Sequence, residues 1–180
     1  DLEVIRSELT RLVLASDRLV RMMRMPEMDR LTPVDVSELL EDTTARWHVV
    51  ADRHWVVEAE PLEFRCSTDR IRACLDTLIE NAVRYGGSAE VEVDDAPECL
   101  RIAVRDKGAG IPAAELQRVF EPYYRLDASR NSHSGGIGLG LSIARNIARW
   151  HGGEIELANA TDGGLIATIV LPRDGNAPQP

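Results

Sequence analysis

The segment GGIGLGLSIARNIARWHGG, Gly135 to Gly153, sets the alternating glycines Gly136, Gly138 and Gly140 directly against an amphipathic helix. Glycines in such a loop expose backbone N–H groups, and the helix start adds its positive end, so the arrangement suits a phosphate. No Lys-Ser or Lys-Thr follows the glycines, which excludes a P-loop, and RNSHS before them is no strand, which excludes the dinucleotide-binding fingerprint. Ile137, Leu139 and Leu141 interleave as apolar anchors. Three further segments carry residue types able to do chemistry. In IENAVRYG, Asn81 offers a hard carbonyl oxygen to a cation that keeps most of its other ligands as water or phosphate, and Arg84 follows three residues later. In DKGAGI, Asp106 is an acceptor-only carboxylate beside Gly108 and Gly110. In EPYYRLDASRNSHSG, Arg125 and Arg130 stand in a polar stretch without period. Each alone has an ordinary structural explanation, as an exposed helix residue, a strand-to-loop turn or a solvated arginine.

These segments need elements to hold them. STDRIRACLDTLIENAVRYG reads as a helix that Ser67, Thr68 or Asp69 can cap, with Ile71, Leu75, Leu78, Ile79 and Ala82 as its buried stripe. SAEVEVDDAPECLRIAVRDKG alternates as two strands about a turn at Asp95 to Pro97, which sets Asp106 at a strand end. PAAELQRVF is predicted as a short helix with Pro112 early in it. Residues 121 to 135 read as a functional lid, because a long structureless loop inside a compact domain is uncommon. GEIELANA and GLIATIVLP make a closing hairpin, with GNAPQP a tail. Upstream, Val34 to Arg46 reads as a helix with Asp35 or Ser37 near its start, and HWVVEAE as strand-like. Residues 4 to 25 place Ile5, Leu9, Leu12 and Leu19 at helical spacing, one helix of roughly 30 Å that needs a partner for its stripe. Pro26 and Pro33 bracket a linker. The expected organisation is a helix at 1–25, a linker at 26–33, a globular domain at 34–172 and a tail at 173–180. The domain is α+β, about three helices on one mostly antiparallel sheet.

Composition bounds the function. A length of 180 residues and 44% hydrophobic content suit about one domain with an appendage. The net charge of −9 and the lack of a Lys/Arg block interleaved with aromatics argue against nucleic acid as a partner. Cys66, Cys74 and Cys99 form no CxxC pair, which favours packing roles in a reduced, cytoplasmic setting. No apolar run approaches the roughly 18 residues of a membrane helix. The chain opens on Asp1 rather than Met, and a longer, membrane-anchored parent is the expectation.

In their order and spacing, IENAVRYG, DKGAGI, VFEPYYR and GGIGLGL resemble the ATP-binding domain of sensor histidine kinases, within the superfamily shared with gyrase-type, chaperone and mismatch-repair ATPases. The resemblance covers nearly all of residues 34 to 172. It implies a Bergerat-type fold, a two-layer sandwich of a mixed, mostly antiparallel sheet and about three helices. It implies ATP and Mg²⁺ as ligands, with Asn81 on the metal, Arg84 on phosphates and Tyr85 over the adenine ring. Asp106 would accept the adenine amino N–H while Gly108, Gly110 and Ile111 line the base. Gly136, Gly138, Leu139 and Gly140 would cap the phosphates, Arg125 and Arg130 would contact them, and Phe120 would anchor the lid's start. Lys107, the only lysine, is expected in solvent, and Glu80, about 100° around the helix from Asn81, is expected to be solvated.

The sequence also departs from that family. Thr77 stands where histidine kinases usually carry a second Asn and the related ATPases a water-activating Glu; its hydroxyl is a poor base. The family's phosphoacceptor His precedes an acidic, an apolar and a basic residue ahead of a Pro, whereas the four histidines here read HVVA, HWVV, HSGG and HGGE. His133 falls in the lid and His151 just before Gly152, a helix C-cap candidate. Residues 4 to 25 resemble the second helix of the kinase dimerisation hairpin, so the chain resembles a phosphoryl donor without its acceptor. The implied partners are an acceptor-histidine hairpin, in the same parent or another chain, a response regulator, and a second subunit through the N-terminal helix. The competing reading is a nucleotide-binding switch without phosphoryl transfer. An anti-sigma-type serine kinase is a third, which the N-terminal helix argues against.

Overall fold

The computed structural model describes residues 31–51, 62–126 and 138–173. The chain divides into two units, Asp1–Arg30 and Leu31–Pro180, and all described residues belong to the second. The predicted helix at 4–25, the strand-like HWVVEAE and the tail beyond Arg173 lie outside the described residues, while Arg173, expected in the tail, donates its N–H to the Glu98 carbonyl at 3.0 Å.

Among the described residues six strands and three α-helices follow in the order β1 (Thr32–Asp35), α1 (Val36–Ala51), β2 (Glu63–Cys66), α2 (Thr68–Gly86), β3 (Glu90–Asp95), β4 (Cys99–Arg105), α3 (Gly140–Trp150), β5 (Glu154–Asn159) and β6 (Leu165–Pro172). Every described pairing is antiparallel. β1 and β2 form a small ribbon, and the main sheet runs β3-β4-β6-β5. Alternation in β3 and β4 sends Val91, Leu100, Ile102 and Val104 inward, where Ile102 lies opposite Ile169 and Ile155 meets the same residue from the other side. The buried stripe of α2, Ile71, Cys74, Leu75, Leu78, Ile79 and Ala82, covers that face, with α1 and α3 beside it. Burial pushes the Cys66 thiol up to about 11 and the Cys74 thiol up to about 12, as packing residues require. Among the described residues no helix is long and apolar enough to cross a membrane.

Three expectations need correction at their edges. The helix expected from Val34 to Arg46 runs instead over Val36–Ala51, because Thr32–Asp35 pairs as a strand with Glu63–Cys66. Thr32 and Pro33 therefore belong to the domain and not to a linker. Asp35 caps the helix, its Oδ1 accepting from the Ser37 N–H at 2.9 Å. Ser67 is the N-cap of α2, but its side chain makes no capping bond; its N–H instead donates to His151 Nε2 at 3.1 Å. The segment PAAELQRVF winds as two 3-10 turns, Ala113–Glu115 and Arg118–Phe120, rather than one helix. Gly152 does end α3, at φ 76°.

His151 and Glu154 tie α3 into the domain. The imidazole is buried, with Nδ1 2.8 Å from the Ile147 carbonyl and Nε2 accepting from Ser67, so the proton sits on Nδ1. Glu154 takes Arg145 in a fork at 2.7 and 3.1 Å and Arg149 at 2.9 Å, while Arg145 lies 4.4 Å over the Phe120 ring. Burial acts to raise the Glu154 carboxyl, but the bonds from Arg145, the Ile155 N–H and Arg149 outweigh it and hold it at about 2, below its ordinary 4.5. A carboxyl depressed by folding contributes stability above its unfolded value and loses it as pH falls through the folded one. Glu154→Gln should therefore flatten the acid side of the stability profile between pH 4.5 and about 2. Thermal melts across that range check this; a variant whose Tm falls with acid as steeply as the parent's would exclude Glu154 as a source of that dependence.

Candidate functional site

The end of α2 carries the first group of candidates. Asn81 is half-buried there, and among the described residues its amide makes no hydrogen bond. Tyr85 is 66% exposed. Arg84 pairs with Glu80 one turn back, which corrects the reading of Glu80 as simply solvated. Gly87 closes the helix at φ 70°, its N–H bonding the Val83 carbonyl at 3.0 Å.

Asp106 emerges where β4 ends, and it is only 7% exposed. Its N–H donates to the Leu165 carbonyl at 2.9 Å, and its Oδ1 accepts from the N–H groups of Gly108 at 2.7 Å and Leu165 at 3.1 Å. Oδ2 takes no hydrogen bond among the described residues. The end of α2 closes on this carboxylate at backbone distance: a Cβ on Gly86 would stand 2.5 Å from Asp106 Cβ, and one on Gly108 would stand 2.8 Å from the Tyr85 carbonyl. Tyr85, Asp106 and Gly108 are thus brought together. Gly110 takes φ 71° and Ile111 packs its side chain partly into the core. Lys107 is largely exposed and pairs with Glu90 at 2.7 Å.

The segment read as a lid starts from a firm base. Phe120 is buried under Arg145, as expected of an anchor. The Tyr124 hydroxyl donates to Glu115, which raises its titration, and Arg118 covers the ring at 4.6 Å. Tyr123 adopts φ 67°, and its N–H reaches the Gly138 carbonyl at 2.8 Å. Gly138, at φ 79°, lies so close that a Cβ there would stand 2.8 Å from the Tyr123 carbonyl carbon. The entry and exit of the segment are clasped. Arg125 is half-buried just inside the entry; Arg130, His133 and Gly136 lie outside the described residues.

Past the clasp, Leu139 is buried and Gly140 opens α3. A Cβ on Gly140 would stand 3.1 Å from Thr77 Cγ2, so the start of α3 lies against α2 one turn before Asn81. The Thr77 hydroxyl donates to the Ala73 carbonyl at 2.9 Å, so its one proton is committed within its own helix. Helix α2 therefore touches both glycine segments, Gly108 through its end and Gly140 through Thr77. Among the described residues no group of three His, Cys, Asp or Glu converges to hold a metal. A cation here would depend on oxygens its ligand brings.

Sequence reasoning missed three contributors. Gly86 reads as one of two helix-ending glycines, and the doubling is its only signal, since a C-cap needs one. Gly164 reads as a hairpin turn, yet at φ 95° a Cβ on it would stand 1.9 Å from the Asp106 carbonyl oxygen. Asn159 reads as a strand-ending turn residue, but its carboxamide bonds both backbone groups of Ile111, at 2.8 and 2.7 Å.

An α+β sandwich whose sheet-end aspartate and two glycine segments converge on one helix is the architecture of an ATP-binding domain of the Bergerat type. Residues 66–175 match the family described as histidine kinase-, DNA gyrase B- and HSP90-like ATPases, and the chain belongs to that family, as a catalytic domain of the histidine kinase kind. The sensor histidine kinase GtrS of Pseudomonas aeruginosa is 43% identical over 105 residues, 58% of this chain and 21% of that protein. The sensor-like histidine kinase SenX3 of Mycolicibacterium smegmatis is 30% identical over 156 residues, 83% of this chain and 40% of that one. The crystal structure of the ATP-binding domain of PrrB from Mycobacterium tuberculosis superposes with a TM-score of 0.66 at 27% identity, covering 81% of this chain and 98% of that one. The chain thus spans about a fifth to two fifths of the length of these two curated relatives.

The contact between α2 and Asp106 has a direct test. Gly86→Ala places a methyl where the Asp106 side chain stands, an overpacking that costs about 1–3 kcal/mol. For a domain of this size that lowers Tm by about 2–4 °C per kcal/mol, read in a thermal melt. An unchanged Tm would mean that Asp106 moves aside freely.

Proposed function

We propose that this chain binds Mg·ATP and donates the γ-phosphoryl group to a histidine on a helical hairpin, opening a phosphorelay that ends on a response-regulator aspartate. The observation that carries this is the state of Asp106. One of its oxygens is fixed by two backbone N–H groups, while the other keeps its acceptor capacity. In this reading Asp106 Oδ2 accepts the adenine amino N–H, Gly108, Gly110 and Ile111 line the base, and Tyr85 covers it. Gly136, Gly138, Leu139 and Gly140 offer N–H groups and the α3 start to the phosphates. Arg84, Arg125 and Arg130 supply positive charge; Arg84 exchanges Glu80 for phosphate oxygen as it does so. Asn81, whose amide has no partner among the described residues, would hold Mg²⁺, which when bound neutralises phosphate charge.

The chain's own contribution is positioning and electrostatics. The acceptor comes from outside the domain, since His151 has both ring nitrogens engaged and no other histidine has its family's acceptor context. Residues 4 to 25 would belong to the second hairpin helix, joined through a linker ending near Leu31, on the cytoplasmic side of a longer parent, with a second subunit docking on that helix. The committed Thr77 hydroxyl favours one alternative, a nucleotide-binding switch without transfer.

Asp106→Asn should weaken ATP about 10- to 150-fold with the fold intact, the cost of a charge-assisted bond of about 1.5–3 kcal/mol. Calorimetric titration reads it; unchanged affinity would remove Asp106 from the site. With radiolabelled ATP, the chain alone should bind without labelling itself, yet label a supplied acceptor hairpin in an acid-labile way. Self-labelling would refute the donor role, and tight ATP binding with no labelling of the hairpin would favour the switch.

A further inference from the structure

We infer that Asn159 is a positioning residue for base recognition: its side chain fixes the far end of the Asp106–Ile111 loop at the spacing an adenine ring requires. This rests on the proposed ATP site.

The β5–β6 hairpin ends on the pair Asn159 and Leu165, which face each other across the ladder. The intervening turn is tied by the Ala160 N–H on the Gly164 carbonyl at 3.0 Å. Each member of the pair holds one end of the loop. Leu165 holds Asp106 by two bonds, its carbonyl accepting the Asp106 N–H at 2.9 Å and its N–H donating to the Asp106 side-chain Oδ1 at 3.1 Å. Asn159 holds Ile111, Oδ1 accepting its N–H at 2.8 Å and Nδ2 donating to its carbonyl at 2.7 Å. The loop is thus stretched between two residues whose separation a strand ladder sets.

The close approach is specific. Gly110 sits at φ 71°, and a Cβ there would stand 2.5 Å from Asn159 Oδ1, so the carboxamide lies directly on the loop backbone. Pairing with one residue's N–H and C=O together takes a donor and an acceptor on one short planar group. A carboxamide provides both, and a carboxylate offers acceptors only. Asn159 is exposed and among the described residues its side chain hydrogen-bonds Ile111 and none of the phosphate-side candidates, so its influence should fall on the base end alone.

The test uses the full 180-residue chain, titrated with ATP, ADP and adenosine and by competition with inorganic tripolyphosphate. Asn159→Ala should weaken all three adenine ligands by one common factor, roughly fivefold to twentyfold for two neutral hydrogen bonds, and leave tripolyphosphate unchanged. Asn159→Asp keeps the acceptor for the Ile111 N–H and should give an intermediate loss for adenosine, a ligand whose lack of charge removes repulsion from the result. If Asp106→Asn weakens ATP while both Asn159 variants bind adenosine like the parent, the positioning role is overturned. A loss that strikes tripolyphosphate equally overturns it as well, since that would mark a general structural role. A parent chain that binds no adenine ligand at all would overturn the ATP reading, and this inference with it.

Discussion

Asp106 must satisfy two backbone donors with one oxygen while keeping the other available, and it does so at a point where three elements meet. The end of β4 delivers it, the end of α2 presses against its Cβ side through Gly86, and the β5–β6 turn covers its carbonyl through Gly164. None of these approaches admits a side chain on the facing residue. A carboxylate this buried is tolerable because its Oδ1 is met by two directed N–H groups, one from Gly108 in its own loop and one from Leu165 in a neighbouring hairpin whose register is fixed by pairing from Glu154 to Asn159. The site's geometry is therefore a property of the sheet, and the helix contributes its end.

Much of this was legible because it is periodic. The α2 stripe and the alternation in β3, β4 and β6 read directly from side-chain spacing, which put Asp106 at a strand end, while its role came only from the resemblance of DKGAGI to the family's motif. What escaped reading is local or long-range. β1 and β2 have four residues each, too few to display a period, and β1 contains Pro33, tolerable at an edge because its missing N–H takes nothing from the ladder. PAAELQRVF looks helical in composition, yet Val119 and Phe120 are drawn into the core and the backbone winds in separate short turns to deliver them. The Glu80–Arg84 pair was available from spacing alone, since four residues along a helix bring opposite charges together. Asn159 carries no such signal. Its partner lies forty-eight residues away, and only the fold makes them neighbours.

The helices answer to the same sheet by different means. α2 is held by an apolar stripe, whereas α3 adds to its buried Ala144, Ile147 and Ala148 polar ties at its end: the His151 ring bridging to the Ser67 N–H and the Glu154 carboxylate gathering two arginines. One of those arginines also covers Phe120, so the base of the segment leading to the glycines shares its support with the helix that follows them.

The hydrogen bond between Tyr123 and Gly138 gives that segment a further character. Joining Tyr123 to Gly138 closes the chain between them into a ring whose closure is already met by the scaffold. Because closure entropy grows only with the logarithm of length, about 0.6 kcal/mol per doubling, residues could be added or exchanged within the ring at little expense to the rest. Stability and sequence variation are thereby uncoupled at one pair of backbone atoms.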